Sequence, residues 1–206
     1  MQAPGGPDED PTGGFALGGW LPQYFDEAVG KRLDTLFAGN FDLLLGRRTY
    51  DIFAAHWPFV EGADKVLGEK FDRAAKYVLT KGEGLRNWAN THRVATVDDL
   101  AEQKRRSGPD LIIQGSGTLY PQLLNRGLLD ELVLMTFPVI LGTGKRLFGD
   151  GTLPQSMRMR EHEVTSAGNI IATYQADGEV HPGSFVTITP SAAELERRSR
   201  IAAGTW

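Results

Sequence analysis

Hydrophobic and polar positions along the chain follow two patterns. One is the helical period, and the other is the continuous apolar run typical of a buried strand. From residue 22 to about residue 38, apolar side chains recur at helical spacing. Residues 41–46 (FDLLLG) then form a nearly continuous apolar run, which is typical of a strand buried on both faces. The next segment, RRTYDIFAAHW, returns to the helical period. The pattern therefore predicts a helix, a buried strand and a second helix in this order.

The same alternation continues along the chain and ends in an antiparallel hairpin. Further strands are predicted at residues 76–80, 93–97, 110–115, 131–141, 157–165 and 169–175, and further helices at 98–106 and 117–125. Residues 1–19 are rich in glycine and proline and predict a loop. The last segment, SAAELERRSRIAAGTW, predicts a solvated helix or a frayed tail. Strands that alternate with helices predict an α/β fold whose sheet is antiparallel at its C-terminal edge.

Composition narrows the classes of protein to which the chain can belong. Its 206 residues suit one domain, which we place at residues 1–180, followed by a tail at 181–206. The net charge of -4 argues against a nucleic-acid partner, which normally requires a basic face. Cysteine is absent, so disulfides and thiolate chemistry are excluded. The longest apolar stretch, 132–141, is too short to span a membrane, and we expect a cytoplasmic protein.

Two segments combine glycine with a predicted junction between a strand and a helix. The first segment is Gly46-Arg47-Arg48-Thr49. It can bind a phosphate in two ways, because a helix N-terminus presents unpaired N–H groups and because arginine can donate two hydrogen bonds to phosphate. The alternative for this segment is a helix start with two solvated arginines. The second segment, GSGTL (115–119), would let a pyrophosphate lie against the backbone, and its alternative is a tight turn without a ligand.

The remaining polar residues give weaker indications of chemistry. The loop 142–145 (GTGK) follows a predicted core strand, but it lacks the first glycine and the Ser/Thr of a P-loop. Four histidines show no metal-ligand spacing, so we expect no metal site. Asp26 and Glu27 are most simply acids favoured by the positive end of a helix dipole.

Taken in order, several segments resemble the bacterial dihydrofolate reductase-like family, which is related to the C-terminal reductase domain of the riboflavin deaminase-reductase. These segments are APGGPDEDPTGGF, LLLGRRTYDIFAAHWP, KYVLTK, DLIIQGSGTLYPQLL and DELVLMTFPVILGTGKRLF. The resemblance implies a three-layer sandwich with a central mixed sheet and NADPH at the carboxyl ends of its strands. It also implies a homodimer and a reduction of a small carbonyl- or imine-bearing substrate, of the 5-amino-6-(5-phosphoribosylamino)uracil reductase type.

The resemblance assigns a role to each group of site residues. The residues that match cofactor-binding positions are Gly46, Arg47, Arg48, Thr49, Thr80, Lys81, Gly115, Ser116, Gly117, Thr118 and Leu119. Gly142, Gly144 and Lys145 match a loop on the substrate side. A nucleotide-binding module of the same fold without catalytic activity is the alternative, and it would bind the cofactor without turnover.

Two departures from the family pattern change these expectations. In true dihydrofolate reductases a carboxylate in the first helix, shortly after a Leu-Pro pair, protonates the pterin. Here the acids after Leu21-Pro22 are Asp26 and Glu27, two places late, so folate reduction is not expected and these two are weak catalytic candidates. Relatives also begin with a central strand that this chain lacks, and we expect a natural start about fifteen residues upstream, the length of one strand and its turn.

Overall fold

The computed structural model describes residues 2–149 and 151–206, so Met1, where the sequence begins, lies outside it. The helices are α1 (Glu27–Leu36), α2 (Arg47–His56), α3 (Lys65–Arg73), α4 (Val97–Lys104), α5 (Tyr120–Asn125) and α6 (Ala192–Ala202). The strands are β1 (Phe41–Gly46), β2 (Lys76–Leu79), β3 (Thr91–Val94), β4 (Asp110–Ile112), β5 (Leu132–Thr136), β6 (Met157–Val164) and β7 (Ile170–Ala176). Among the described residues, no helix is long and apolar enough to cross a membrane.

The first four strands form a parallel sheet in the order β3-β2-β1-β4. Strand β1 lies inside this sheet, and its Leu43 and Leu45 are fully buried, as the apolar run predicts. Helices α2 and α3 cover one face with an aromatic cluster around Phe71, whose ring lies 4.7 Å from that of Trp57. Because neighbouring parallel strands end on the same side, the segments that follow β1, β2 and β4 meet at one edge of the sheet.

The last three strands form a separate antiparallel sheet in the order β5-β7-β6. The hairpin of β6 and β7 confirms the predicted antiparallel pair. Its register shifts between Met159, which lies opposite Tyr174, and Glu161, which lies opposite Thr173. Arg160 is therefore the extra residue of a β-bulge.

The two sheets do not share a ladder, which corrects the expectation of one continuous mixed sheet. Strand β4 ends the parallel sheet and β5 ends the antiparallel sheet. Residues 110–114 and 132–137 of these two edges line one cavity of about 1170 Å³. We call this cavity the slot. Among the described residues, neither of the two strand edges beside it has a further ladder partner.

Several predicted elements are longer than the observed ones. The helix predicted at 22–38 begins only at Glu27, because Leu21–Gln23 forms a separate 3-10 turn that contains Pro22. The strand predicted at 131–141 ends at Thr136, since β7 pairs with it only that far. The strand predicted at 110–115 ends at Ile112, where pairing with β1 stops.

The smaller shifts have similar local causes. The strand predicted at 93–97 lies two residues earlier, because Thr96 caps α4 and accepts a hydrogen bond from the Asp99 amide. The helix predicted at 117–125 starts at Tyr120, which leaves Pro121 in its first turn, where proline is tolerated. Helix α6 forms within the tail and buries none of its residues, as expected of a solvated helix. The boundary at residue 180 stays a prediction.

Candidate active site

The two glycine-containing segments lie side by side at the carboxyl ends of β1 and β4. The amide of Gly46 donates to Ser116 Oγ at 3.0 Å, and the amide of Ser116 donates to Thr49 Oγ1 at 3.0 Å. Each segment thus satisfies a backbone group of the other. The structure brings together the two sites that the sequence offered separately, and we call this pair the twin turns.

Backbone conformation explains the glycine in the second turn. Gly115 has a φ of 67° and Ser116 a φ of 52°, in the left-handed region. A Cβ at Gly115 would lie 3.2 Å from Thr49 Cγ2, closer than an ordinary contact. Glycine is therefore required both by the dihedral angle and by the close approach of Thr49.

Helix α2 presents its first turn at the same place. Its N-cap is Gly46, and no side chain of the described residues caps its amides. An uncapped helix start leaves N–H groups and a positive dipole end directed outward, which is a favourable environment for an anion. The twin turns can therefore hold the phosphates of a dinucleotide through backbone groups.

The two arginines of the first segment differ in their contacts. Arg47 donates through Nε to Asp51 at 2.8 Å and through Nη1 to the Glu83 carbonyl at 3.0 Å. It therefore holds the loop that follows β2, rather than extending toward solvent. Arg48, the next residue, is exposed.

The end of β2 adds further positive charge beside the twin turns. Lys81 is exposed, and its carbonyl accepts a hydrogen bond from Arg93 Nη2 at 3.3 Å. Thr80 Oγ1 accepts from the Gly82 amide at 3.1 Å, which forms a tight turn. Sequence reasoning did not identify Arg93, because its position on a short edge strand carries no motif.

The loop with Gly142, Gly144 and Lys145 binds the N-terminal segment. The side chain of Lys145 pairs with Asp10, and its amide donates to Gln2 Oε1 at 3.1 Å. The ring of Phe15 lies so close to Gly144 that a Cβ there would approach it to 3.1 Å. We call these contacts the terminal clasp. The ammonium of Lys145 is thus held by a carboxylate of the protein itself.

The acids of α1 lie away from the slot. The wall of the slot beside α1 is apolar and consists of Phe25, Val29 and Leu33. Asp26 and Glu27 do not belong to the lining of the slot. The carboxylate of Asp26 caps α1 and accepts from Val29 N at 2.9 Å. It also accepts hydrogen bonds from the β6–β7 turn, at 2.5 Å from Thr165 Oγ1 and 2.9 Å from Asn169 Nδ2.

These contacts give Asp26 a structural role. The hydrogen bond from Thr165, with a further one from Val29, lowers the pKa of Asp26 below its usual value. A carboxyl group that stays ionised is poorly suited to donate a proton at neutral pH. Glu27 is exposed.

We expect Asp26→Ala to lower the melting temperature, because it removes the cap of α1 and the link to the β6–β7 turn. Since the pKa is lowered in the folded state, this contribution is present above the usual carboxyl pKa of about 3.9 and is lost as pH falls through the lowered value. Thermal melts from pH 3 to 7 measure this dependence. Glu27→Ala is the matched control, since it removes only the dipole contribution of an exposed acid and should lower the melting temperature much less. An unchanged melt for Asp26→Ala would contradict the structural role.

The architecture, with glycine turns at the carboxyl ends of a parallel sheet and an antiparallel hairpin beside it, defines an α/β fold of the dihydrofolate reductase-like type. The chain belongs to the RibD C-terminal domain family, whose sequence profile matches residues 2–172. This match confirms the resemblance found in the sequence.

Three similar proteins agree with this assignment. YyaP, an uncharacterized protein of Bacillus subtilis (strain 168), is 28% identical over 151 residues, which cover 70% of this chain and 79% of YyaP. A protein of Shewanella sp. PV-4 with a proposed role in riboflavin biosynthesis superposes with a TM-score of 0.60 at 22% identity, covering 77% of this chain and 87% of that one. A pyrimidine reductase-like protein of Corynebacterium diphtheriae gives 0.53 at 15% identity, covering 77% and 85%.

The family is generally one of reductases, which supports an oxidoreductase that uses a nicotinamide cofactor. The two structural matches, below 25% identity, show the fold alone.

Proposed function

We propose that this chain is an NADPH-dependent reductase that transfers hydride to a small carbonyl- or imine-bearing substrate. The observation that carries the proposal is the twin turns, where two strand-to-helix segments of a reductase-family fold are joined by two hydrogen bonds. Their backbone amides, with the start of α2, would hold the pyrophosphate. The bound cofactor would supply the hydride.

The basic residues near the twin turns favour the phosphorylated form of the cofactor. NADPH differs from NADH by a 2′-phosphate on the adenosine ribose. Arg48 and Lys81 are exposed on neighbouring segments after β1 and β2, where they can pair with this group. Arg47 supports them indirectly, since it holds the carbonyls of Glu83 and Gly84 in the loop just beyond Lys81.

We expect NADPH to bind tenfold to a hundredfold more tightly than NADH, because a charge-assisted hydrogen bond contributes about 1.5–3 kcal/mol. Titration of both cofactors by fluorescence or calorimetry measures the ratio. Arg48→Ala and Lys81→Ala should reduce it, and Arg47→Ala should do so through the loop. The exposed Arg105, on the distant end of α4, provides the control variant Arg105→Ala. Equal affinities for both cofactors in the parent protein would contradict the assignment.

For the substrate, we propose the 5-amino-6-(5-phosphoribosylamino)uracil reductase type and expect dihydrofolate to react poorly. The first acid after Leu21-Pro22, Asp26, caps α1 and is held ionised by Thr165, so it is poorly suited to protonate a pterin. Steady-state assays with dihydrofolate and with the ribosylamino-pyrimidine compare the two. Efficient dihydrofolate turnover that disappears in Asp26→Asn or Glu27→Gln would show that one of these acids is the proton donor. Cofactor binding without turnover of any substrate would instead favour a nucleotide-binding module.

A further inference from the structure

Two arginines from different elements bind the backbone of the loop that follows β2. Arg93 of β3 donates through Nε to the Gly82 carbonyl at 3.1 Å and through Nη2 to the Lys81 carbonyl at 3.3 Å. Arg47 of α2 donates to the next two carbonyls at 3.0 and 3.2 Å. Four consecutive carbonyl groups are therefore bound by two guanidinium groups. We call residues 81–84 the held loop.

The held loop has few other contacts that could fix its conformation. All four of its residues are exposed, so apolar burial does not hold it in place. Gly84 has a φ of 67°, which glycine adopts without strain. A Cβ at Gly82 would lie 3.7 Å from Arg47 Nη1, so the loop backbone packs directly on this guanidinium. The conformation of the held loop thus depends mainly on the two arginines.

The two arginines differ in what else they support. Arg47 belongs to the first turn of α2, beside the twin turns, and also pairs with Asp51 at 2.8 Å. Arg93 lies on the edge strand β3, opposite Val78 of β2, and its side chain extends around the end of β2. Replacing Arg93 therefore changes the held loop without removing a residue of the twin turns.

We infer that Arg93 is a positioning residue for NADPH selectivity, which fixes the backbone at Lys81 and so places the Lys81 ammonium at the 2′-phosphate. The inference rests on the proposed function, in which Lys81 pairs with this phosphate. A lysine on an ordered backbone loses less conformational freedom when its ammonium pairs with a ligand than one on a mobile loop. Arginine suits the holding role, because its rigid fork donates to two neighbouring acceptors at once.

Titrations of NADPH and NADH against variants of Arg93 test the inference. Arg93→Ala should lose about threefold to tenfold in NADPH affinity and keep its NADH affinity, because NADH lacks the 2′-phosphate. Arg93→Lys retains the positive charge without the fork, so it should lose nearly as much NADPH affinity as the alanine variant. The control Arg105→Ala, on the distant end of α4, should bind both cofactors like the parent. Equal losses for both cofactors in Arg93→Ala would overturn the inference, since they would indicate a general effect on the fold.

A double-mutant cycle with Lys81→Ala separates positioning from a direct contact between Arg93 and the phosphate. If Arg93 acts through Lys81, Arg93→Ala should change NADPH affinity by less than about twofold once residue 81 is alanine. Additive effects of the two substitutions would overturn the inference, because Arg93 would then act independently of Lys81. An Arg93→Lys variant that binds NADPH like the parent would also overturn it, since the charge alone would then suffice.

Hydrogen exchange of the free protein tests the holding role without any cofactor. The Gly82 amide donates to Thr80 Oγ1 at 3.1 Å within the held turn. Its exchange should be several-fold faster in Arg93→Ala and unchanged in Arg105→Ala. Unchanged exchange in Arg93→Ala would overturn the inference and leave the proposed function intact. Equal affinities of the parent for NADPH and NADH would instead overturn the proposed cofactor preference, and the inference with it.

Discussion

A chain that carries an apolar strand directly before residue 2 should be more stable than the present one by about 5–9 kcal/mol, because three large apolar side chains contribute about 1.5–3 kcal/mol each on burial. The slot between β4 and β5 is the place for such a strand, since in the part of the chain that the structure describes both of its edges lack a ladder partner. Pro4 lies in its lining, and Trp20 packs against Phe137 at 5.6 Å just beyond β5. A strand that ends at residue 2 would therefore enter the structure at the slot.

Thermal melts of the chain with and without an N-terminal extension that carries such a strand test this expectation. The expected gain is a large part of the total stability of a domain, which is about 5–15 kcal/mol, and covering open strand edges also lowers the tendency to aggregate. The control is the same extension with proline at its centre, which removes a backbone donor and should not stabilise. If the extended chain melts at the same temperature as the chain without the extension, the expectation is wrong.

Phe71→Ala should destabilise the domain by about 3–5 kcal/mol, the usual loss for a fully buried phenylalanine. The Phe71 side chain is 0% exposed on α3, and its ring lies 5.1 Å from that of Phe37 and 4.7 Å from that of Trp57. Alanine would leave a cavity that these rings cannot fill without moving. Because α3 leads into β2, the loss should also weaken cofactor binding near Thr80 and Lys81.

Urea unfolding of the variant and the parent measures this effect. The matched control is Phe59→Ala, since Phe59 is 75% exposed and its removal should change stability by less than about 0.5 kcal/mol. Equal losses in the two variants would show that the aromatic cluster around Phe71 does not dominate the core.

The elements predicted best are those whose apolar residues are all buried in the same core. The run 41–46 became β1 without change, and α2 begins directly after it, because both patterns reflect burial in the same core. The runs at 113–115 and 137–141 were assigned to strands by their apolar residues alone. Phe137 instead packs on Trp20, and Ile140 is 96% exposed, so hydrophobicity there does not indicate a strand.

Contacts between distant loops could not be predicted from local pattern. Sequence reasoning found both segments of the twin turns. The hydrogen bonds from the Gly46 amide to Ser116 and from the Ser116 amide to Thr49, however, depend on β4 lying beside β1. The terminal clasp joins Gln2 and Asp10 to Lys145 across most of the chain, and polar loop residues carry no period that would indicate such a pairing. The bulge at Arg160 was also missed, since it interrupts the alternation by a single residue.

The mutual hydrogen bonds of the twin turns reduce the conformational entropy that the backbone loses when a ligand binds. Ser116 Oγ and Thr49 Oγ1 each hold an amide of the other segment, so the two turns are fixed relative to each other before any ligand arrives. A loop that must be ordered by its ligand loses part of the binding free energy to that ordering. Here the backbone is already arranged, and the conformational entropy that remains to be lost resides mainly in the exposed side chains of Arg48 and Lys81.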